Sequence, residues 1–490
     1  MTPHLSKSRI QSGRQCEKRL WLELHGAAAA RWDESAQTRL DQGTAFGELA
    51  RELLGGGVLV EADHRHVREA LAETAAILAK PLRGATMLFE AAFEYQNVRV
   101  RVDGFKRQAH GDTLIEVKST TQVKPEHLWD CAIQTWVAEG AGRKIQSIQL
   151  GHIDNQFIYR REGNYRGLLI LQDISTEVRA LLPEIPAIVA RLKTVAACPQ
   201  PDIHTGPHCS QPYGCPFIDH CRAQEPAPPA YPVDLLPHAG ALIQQLIAAG
   251  YHDLRKVPAA ALGNAKHRRI LSATKTGKPY RSIELDALLA SIPFPRYYLD
   301  FETIAFVIPR WLGTRSFQQL PFQFSCHIES ADGQLKHREF VDISGASPLE
   351  DFVRQLLHSI GSKGPILVWN QSFEATRLHE LAERFPEHSG ALHALIERMI
   401  DLLPIYRDHY YHRDMLGSWS IKAVLPTIAP DLAYDDLSIT GGSAAQDAYL
   451  QAIHPDTNES ERQIIRQQLL AYCCRDTLAM VRLVRPAGTR

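Results

Sequence analysis

Hydrophobic and polar residues alternate in the stretch "VRVRVDGFKRQAHGDTLIEVKST", residues 98 to 120. Valine and arginine alternate up to Asp103, which is typical of a strand, and the turn-forming residues "AHGD" follow. The next run, "TLIEVK", predicts a second strand. Because strand side chains point alternately to the two faces, Glu116 and Lys118 share one face and the apolar residues share the other.

The residues after this hairpin, "HLWDCAIQTWVAEG" at 127 to 140, predict a helix that places Gln134 shortly after the second strand. Two carboxylates, Asp103 and Glu116, can hold a divalent cation while the Lys118 ammonium contacts water or phosphate. Phosphodiester hydrolysis requires that arrangement. The alternative for the short Glu-x-Lys motif is an amphipathic hairpin with a solvated face.

A second apolar stretch, "YYLDFET" at 297 to 303, is interrupted by two acids. The pattern predicts a buried strand whose period of two places Asp300 and Glu302 on the same face. Neighbouring carboxylates repel each other unless a cation lies between them. We therefore expect further acids from downstream elements to converge on this point.

Two downstream patterns offer such acids. The segment "GPILVWNQSFEATRLHELAERF" predicts a buried strand at 366 to 369 and then a helix with Glu374 in its first turn. The residues from 466 to 484 form a strong helical pattern in which Tyr472 and Asp476 are four apart, on one face.

Proline clusters divide the chain. "AQEPAPPAYPVD" at 223 to 234 is typical of a domain linker, and a helical pattern gives way to prolines near 284 to 296. The predicted organisation is a first domain at 1–223, a linker and helical connector at 224–290, and a C-terminal domain at 291–490. The connector contains a basic stretch that can either contact phosphates or remain a solvated surface.

The composition is that of an ordinary globular protein. With 490 residues, 44% hydrophobic and 22% charged, the chain is long enough for two or three domains. It has no run of about 18 apolar residues and no apolar signal-peptide core, so we expect a cytoplasmic protein without a membrane partner. The formal net charge of −1 does not decide the partner, since it can hide a basic channel opposed by acidic metal sites.

Three of the nine cysteines lie within thirteen residues, in "HCSQPYGCPFIDHC". A disulfide framework is not expected in the cytosol, because thiol pools keep cysteines reduced. Cys209, Cys215 and Cys221 stand in a loop rich in turn formers, which suits a metal better than a core.

The N-terminal motifs resemble those of PD-(D/E)XK nucleases of the RecB and AddB type. Asp103, the triplet from Glu116 to Lys118, and Gln134 match the family's active-site motifs in order. The resemblance implies a restriction-endonuclease-like fold in which Asp103, Glu116, Lys118 and Gln134 are catalytic. It also implies that Asp103 and Glu116 are ligands for Mg²⁺ or Mn²⁺.

The same resemblance implies a [4Fe–4S] cluster held by Cys16, in "CEKRLWLE", together with Cys209, Cys215 and Cys221. Such a cluster would join the two ends of the domain. A structural zinc site with help from His208 or His220, or no metal, remains the alternative. The other five cysteines are expected to be small core or surface residues: Cys131, Cys198, Cys326, Cys473 and Cys474.

One position departs from the nuclease family. These enzymes often have a metal-binding histidine on an early helix, and Gly47 occupies the matching place in "DQGTAFGELARELL". The departure affects the metal geometry expected for the first domain.

The C-terminal motifs resemble those of DEDD exonucleases, which have a ribonuclease-H-like fold. The resemblance implies two Mg²⁺ or Mn²⁺ ions held by four acids, with a tyrosine orienting the attacking water. By position the ligands are Asp300, Glu302, Glu374 and Asp476, and the tyrosine is Tyr472. Glu374 stands where the family more often has aspartate, and Asp401 is a reserve candidate. Solvated acids, or a nuclease fold that has lost its activity, are the alternatives.

The whole chain also resembles a bacterial family of unknown function in which such a domain follows an iron–sulfur nuclease domain. The segment "DHYYHRDMLGSWSIKAVLP" at 408 to 426 contributes to this resemblance. Its polar residues can either line a nucleic-acid path or cap helices: His412, Ser418, Ser420 and Lys422.

We therefore expect an α/β protein with two nuclease sites, the C-terminal one a 3′–5′ exonuclease. DNA is the favoured partner by resemblance of the N-terminal half, and RNA is nearly as plausible for the C-terminal half. Two other classes stay open. One is a nucleic-acid-binding scaffold with inactive sites, and the other is a redox-responsive regulator that senses through its cluster.

Overall fold

The computed structural model divides into two compact units. It describes residues 4–32, 36–63, 65–81 and 84–485. The first unit consists of Met1–Ala227 and Phe306–Phe317, and the second of Pro228–Ala305 and Gln318–Arg490. The residues expected to form a separate connector therefore cluster with the second unit from Pro228 onward. Among the described residues, no helix combines the length and the apolar character that crossing a membrane requires.

The first unit contains both strands and helices. Its strands are β1 (Leu5–Ser6), β2 (Val58–Leu59), β3 (Thr86–Tyr95), β4 (Val98–Arg107), β5 (Asp112–Val117), β6 (Ile145–Ile153) and β7 (Leu169–Asp173). Its α-helices are α1 (Lys7–Gln15), α2 (Glu17–His25), α3 (Ala36–Leu53), α4 (Val67–Ala79), α5 (Pro125–Gly140), α6 (Ser175–Leu181), α7 (Ile185–Ala197) and α8 (Ile218–Arg222).

These strands form one mixed sheet in the order β2-β3-β4-β5-β6-β7, with β1 added in parallel to β4. The strands from β3 to β5 are antiparallel, whereas β5 and β6 are parallel, with Val117 opposite Gly151. The predicted alternation is present, although β4 continues four residues beyond Asp103. The carboxyl end of β5, next to Glu116, thus lies beside the carboxyl end of β6.

Helix α5 packs against this sheet and positions Gln134. Its apolar face contributes Cys131, Ile133 and Val137 to the largest core cluster of the unit. Pro125 occupies the first turn, where its missing N–H costs no hydrogen bond, and the Lys124 amide donates to His127 Nδ1 at 3.2 Å. The helix is therefore fixed at its start, two turns before Gln134.

The second unit contains ten α-helices and seven strands among its described residues. The helices are α9 (Gly240–Ala248), α10 (Ala265–Thr276), α11 (Ile283–Ser291), α12 (Leu349–Ser359), α13 (Gln371–Arg384), α14 (Ser389–Ile396), α15 (Leu402–His409), α16 (Ile421–Ile428), α17 (Gly442–Ala452) and α18 (Glu459–Val484). The strands are β8 (Tyr280–Arg281), β9 (Arg296–Ile304), β10 (Leu320–Glu329), β11 (Leu335–Val341), β12 (Ile366–Val368), β13 (Met399–Asp401) and β14 (Tyr410–Tyr411).

Five of these strands form a mixed sheet in the order β11-β10-β9-β12-β13. Strands β9, β12 and β13 are parallel, and β10 is antiparallel to both β9 and β11. The predicted strand at 297 to 303 is the central one, β9. Most of its side chains are buried, because Phe301 packs on Phe352 of α12 on one face and Asp300 contacts Cys473 of α18 on the other.

The last helix, α18, is 26 residues long and packs on β9 and β10. Asn458 begins it, accepting a hydrogen bond from the Glu461 amide at 2.9 Å. Tyr472 and Asp476 share its buried face, as their spacing of four predicts. Together the two units establish the α/β class.

Candidate active sites

The first site lies in the first unit, where β5 ends. Glu116 is 1% exposed, and its Oε1 accepts from both Lys118 Nζ and Lys7 Nζ, each at 2.7 Å. Its Oε2 accepts from Gln134 Nε2 at 2.6 Å. The structure thus brings together Glu116, Lys118 and Gln134 as their motif order suggests, and it adds Lys7 from α1.

Asp103 completes this set from the neighbouring strand. Its Oδ2 accepts from the Val117 amide at 2.7 Å, which fixes the carboxylate beside Glu116. Burial, and then the negative charge of Glu116, raise the pKa of Asp103 to about 7. Ionisation of Asp103 is therefore disfavoured beside the charged Glu116, an effect that a divalent cation would reverse.

The ammonium groups act in the opposite direction on Glu116. Burial alone would raise its pKa, but Lys118 and then Lys7 outweigh burial and hold the pKa below its usual range. Lys118 also contacts Asp130 Oδ2 at 2.8 Å. The site is therefore a compact arrangement of three carboxylates and two ammonium groups.

Lys7 and Asp130 are two members of this site that the motifs did not reveal. Asp130 stands one helical turn before Gln134 on α5, so its position could have been found from the spacing of four. Lys7 is 109 residues from Glu116 in the chain, and no local pattern connects the two. The packing of α1 on α5, together with the pairing of β1 with β4 just before Lys7, brings it into the site.

A pocket of about 690 Å³ opens onto the first site. Asp103, Glu116 and Lys118 line it together with Gly47 of α3. A Cβ atom added at Gly47 would meet nothing within 4 Å. The position expected to bear a metal-binding histidine thus faces the pocket but supplies no side chain.

The four predicted cluster cysteines share one small cavity in the first unit. Cys16, Cys209, Cys215 and Cys221 all line it, and each is a free thiol. Burial raises the pKa of Cys215, and the nearby Cys209 and Cys16 add to that rise. Thiols that influence one another in this way fit a shared metal or cluster, since cysteine thiolates are the ligands of both.

Hydrogen bonds from the Gln15 side chain hold the segment of Cys16 against the loop that carries the other three cysteines. Gln15 Nε2 donates to the carbonyls of His208 and Tyr213, both at 2.7 Å. His208 lines the cavity with its Nε2 3.6 Å from Cys209 Sγ, whereas His220 Nε2 contacts Gln224 at 2.9 Å. Of the two histidines, only His208 is thus positioned beside the thiols.

The second site lies in the second unit, where four carboxylates converge from three elements. Asp300 and Glu302 come from β9, Glu374 from the first turn of α13, and Asp476 from α18. Burial, and then the charges of the other three, raise the pKa of Asp300 well above its usual range. Burial and the charge of Asp476 raise the pKa of Glu302 to about 8.

Glu374 takes the place predicted for it. It is 2% exposed, its Oε2 has no hydrogen-bond partner among the described residues, and burial raises its pKa to about 8. Asp401, the reserve candidate, accepts from the amides of Asn370, Gln371 and Leu403 at 2.9 to 3.1 Å. Its carboxylate therefore holds two helix starts, while that of Glu374 is available to a cation.

Tyr472 lies at the edge of the acids and is 4% exposed. Its hydroxyl accepts from Lys422 Nζ at 2.8 Å, and Tyr434 donates to Asp476 Oδ1 at 2.5 Å. Of the polar residues at 408 to 426, Lys422 alone joins the acids here, whereas Ser420 caps α16. Tyr434 was not predicted, because its segment has no regular pattern.

Cys473 is a further member that sequence reasoning assigned to the core. Its sulfur lies 3.5 Å from Asp300 Oδ2, and ligand atoms of Cys473, Asp300 and Glu302 lie within 4.8 Å of one another. The thiol is buried as expected, but it is buried against carboxylates. Oxygen-rich sets of this kind suit Mg²⁺ or Mn²⁺.

The basic stretch that was predicted to lie in the connector forms hydrogen bonds and an ion pair within the second unit. Arg269 donates to the carbonyls of Arg407 and Asp408, and Lys275 to that of Val257. Arg281 forms an ion pair with Asp286. These residues stabilise helix and loop ends. Their contacts favour a structural role for that stretch over contact with phosphates.

Comparison with known proteins finds one family model that is similar to a stretch of this chain. A model described as "Domain of unknown function (DUF2779)" matches residues 297–420. The match includes Asp300, Glu302 and Glu374 and ends before Tyr472 and Asp476.

Two curated proteins are similar to parts of this chain. "Uncharacterized protein MG366" of Mycoplasma genitalium is 26% identical over 208 residues, which is 39% of this chain and 31% of that protein. "Uncharacterized protein UU173" of Ureaplasma parvum serovar 3 is 26% identical over 216 residues, 40% of this chain and 31% of that protein. The matched part thus spans about a third of these relatives.

Proposed function

We propose that this protein is a metal-dependent nuclease with two sites for phosphodiester hydrolysis. The observation that carries the proposal is the convergence of Asp300, Glu302, Glu374 and Asp476 from distant parts of the chain. Burying four acids together is costly, and a fold retains such a set for a purpose that offsets the repulsion. Binding two divalent cations for hydrolysis is such a purpose.

In the second site, Asp300, Glu302, Glu374 and Asp476 would hold the ions. Bound Mg²⁺ or Mn²⁺ would activate water and stabilise charge on the attacking and leaving oxygens. Tyr472 would orient the water, and Lys422 holds the tyrosine hydroxyl in place. The mixed sheet with β9 at its centre supports the ribonuclease-H-like fold that the resemblance implies, and the 3′–5′ exonuclease activity is proposed from that resemblance.

In the first site, Asp103 and Glu116 would hold one such ion. Lys118 would contact the phosphate or the attacking water, and Gln134 fixes the Glu116 carboxylate by its hydrogen bond. The pocket of about 690 Å³ gives a nucleic-acid strand access to these residues. A PD-(D/E)XK fold is the assignment that these contacts support.

We also propose that the four cysteines bind a [4Fe–4S] cluster. A single zinc ion holds its sulfurs about 3.8 Å apart, as follows from a Zn–S distance of about 2.3 Å and tetrahedral geometry. Within the described chain, the sets of ligand atoms that lie within 4.8 Å of one another do not include these thiols. Four cysteines around one cavity match the four-thiolate ligand set of a [4Fe–4S] cluster, and a structural zinc ion is the alternative.

DNA is the proposed substrate of the first site, and DNA or RNA that of the second.

All nine cysteines are free thiols, which supports a reducing compartment such as the cytoplasm. The experiment is an incubation of 5′- and 3′-labelled single- and double-stranded DNA and RNA with the full chain and Mg²⁺ or Mn²⁺.

Two variants separate the sites in that experiment. Glu116→Gln removes a ligand from the first site only, and Asp476→Asn removes one from the second. Each should lower one activity about a hundredfold or more and leave the other. Glu177→Gln, an exposed change in the first unit, is the matched control for charge. Cleavage that persists unchanged in both variants would contradict the assignment.

A further inference from the structure

The connection between β6 and β7 begins beside the first site. Strands β5 and β6 are parallel, and the Lys118 amide donates to the Gly151 carbonyl at 2.9 Å. One step further, the Ile153 amide donates to the Thr120 carbonyl at 2.8 Å. The chain that leaves β6 therefore starts at the same edge of the sheet as Lys118.

This connection contains three exposed arginines. Arg160, Arg161 and Arg166 line a concavity of about 350 Å³ together with polar and apolar neighbours that include Asn164. Among the described residues, no carboxylate lies within 4.0 Å of any of the three guanidinium groups. Several other arginines of the unit are paired with carboxylates, for example Arg143 with Asp112 at 2.5 Å. We call this surface the arginine concavity.

Aromatic packing makes the arginine concavity a defined structure. Tyr159 and Tyr165 stack with ring centroids 4.7 Å apart and an angle of 5° between the planes. The Gly163 amide donates to the Tyr159 hydroxyl at 2.7 Å, which closes the turn that carries Arg160 and Arg161. The positions of the arginine backbones are thus fixed from both sides.

The same segment is anchored to two other parts of the first unit. The Tyr159 amide donates to the Thr314 carbonyl at 3.0 Å, and the Gly313 amide donates back to the Tyr159 carbonyl at 2.6 Å. Phe157 packs in a cluster with Phe46 of α3, the helix whose Gly47 lines the catalytic pocket. The arginine concavity and the pocket therefore share a rigid support.

We infer that the arginine concavity binds the phosphate backbone of the nucleic acid on which the first site acts. Guanidinium groups bind phosphate oxygens in a bidentate manner, and arginines without a paired carboxylate, on a connection that starts next to Lys118, attract a polyanion. Glu162 is the one acid among residues 160–166, and it does not line the surface. The rings of Tyr159 and Tyr165 stack on each other, so they are not offered to bases. The arginines therefore contact the phosphate backbone, and we expect binding to be independent of base sequence.

This inference rests on the proposed nuclease function, and its test separates the two. A fluorescein-labelled single-stranded DNA of mixed sequence is titrated with the full chain in EDTA, at several salt concentrations, and anisotropy gives the Kd. The variant is Arg160→Gln/Arg166→Gln. The control is Arg65→Gln/Arg68→Gln, which removes the same charge from exposed positions at α4.

The variant should bind about tenfold more weakly at 0.1 M salt, with a slope of log K against log salt shallower by about 1.4. The control should match the unmodified protein, and thermal unfolding should show both variants folded. Equal Kd and equal slope in the variant and the control would overturn the inference while leaving the nuclease proposal intact. An unmodified protein that neither binds nor cleaves nucleic acid would overturn both.

Discussion

Raising the pH should destabilise the second unit when no divalent cation is present. The pKa values of Glu302 and Glu374 are both raised to about 8 from an ordinary value of 4.5, mainly by burial. A raised pKa in the folded state means that the folded unit is more stable when the carboxyl groups of Glu302 and Glu374 are protonated. The corresponding stability is complete below pH 4.5 and is lost as pH rises through about 8.

The size of the effect follows from the shift. A rise of about 3.5 pH units for Glu302 corresponds to about 5 kcal/mol, at about 1.4 kcal/mol per unit. For a unit of this size each kcal/mol moves the unfolding midpoint by about 2 to 4 °C, so Glu302 alone accounts for roughly 10 to 20 °C. Glu302→Gln removes this titration and keeps the shape of the side chain.

The assay is thermal unfolding of the full chain in EDTA from pH 5 to pH 9, repeated with Mn²⁺. The unmodified protein should lose stability with rising pH, and Mn²⁺ should restore it most strongly near pH 8. Glu302→Gln should show a smaller pH effect and a smaller response to Mn²⁺. The control is Glu387→Gln, an exposed change in the same unit that should behave as the unmodified protein.

Two results would refute this reasoning. One is a stability that is constant or increases between pH 5 and pH 8 in EDTA. That result would mean that burial and mutual repulsion do not raise the pKa values of these carboxyl groups. The other is an equal gain from Mn²⁺ in the unmodified protein and in Glu302→Gln.

Three other changes test single contacts. Lys7→Met should destabilise the first unit in EDTA by about 1 to 3 kcal/mol, because buried Glu116 loses one of two ammonium partners; in a Glu116→Gln background, unfolding should show a smaller loss. Tyr472→Phe should lower cleavage by the second site at least about tenfold with a modest loss of stability, since the fold loses the hydrogen bonds of one hydroxyl to Lys422 and Asp476, each about 1 kcal/mol. In anaerobically purified protein, Cys215→Ser should abolish the visible iron–sulfur absorbance and make the first unit sensitive to protease, whereas the exposed change Cys198→Ser should do neither.

Local patterns predicted the elements that position both sites. The alternation before Asp103 and around Glu116 defines two paired strands, and the spacing of four between Tyr472 and Asp476 defines one helical face. These signals are visible because each depends only on the geometry of one strand or helix. The strand and helix around Glu374 follow from the same kind of pattern.

Residues that join a site through tertiary packing left no such signal. Lys7 reaches Glu116 because α1 packs on α5 and β1 pairs with β4, and nothing in its own segment indicates a partner 109 residues away. Cys473 follows the pattern of a core residue and is buried, but the chemistry of its surroundings depends on β9. Residues 224–290 were predicted as a separate connector because proline clusters indicate a local break in the chain. They carry no information about the tertiary contacts that the following residues make.

The most direct test of the two-site account compares the unmodified protein with the double variant Glu116→Gln/Asp476→Asn, purified side by side. Release of label from end-labelled DNA and RNA is followed with Mn²⁺ and with EDTA. The account predicts Mn²⁺-dependent cleavage by the unmodified protein and about a hundredfold less, or lower still, by the double variant, because the rates of two independent sites add and each site loses about a hundredfold or more. Cleavage of equal rate by both proteins, or none by the unmodified protein on any substrate, would contradict it.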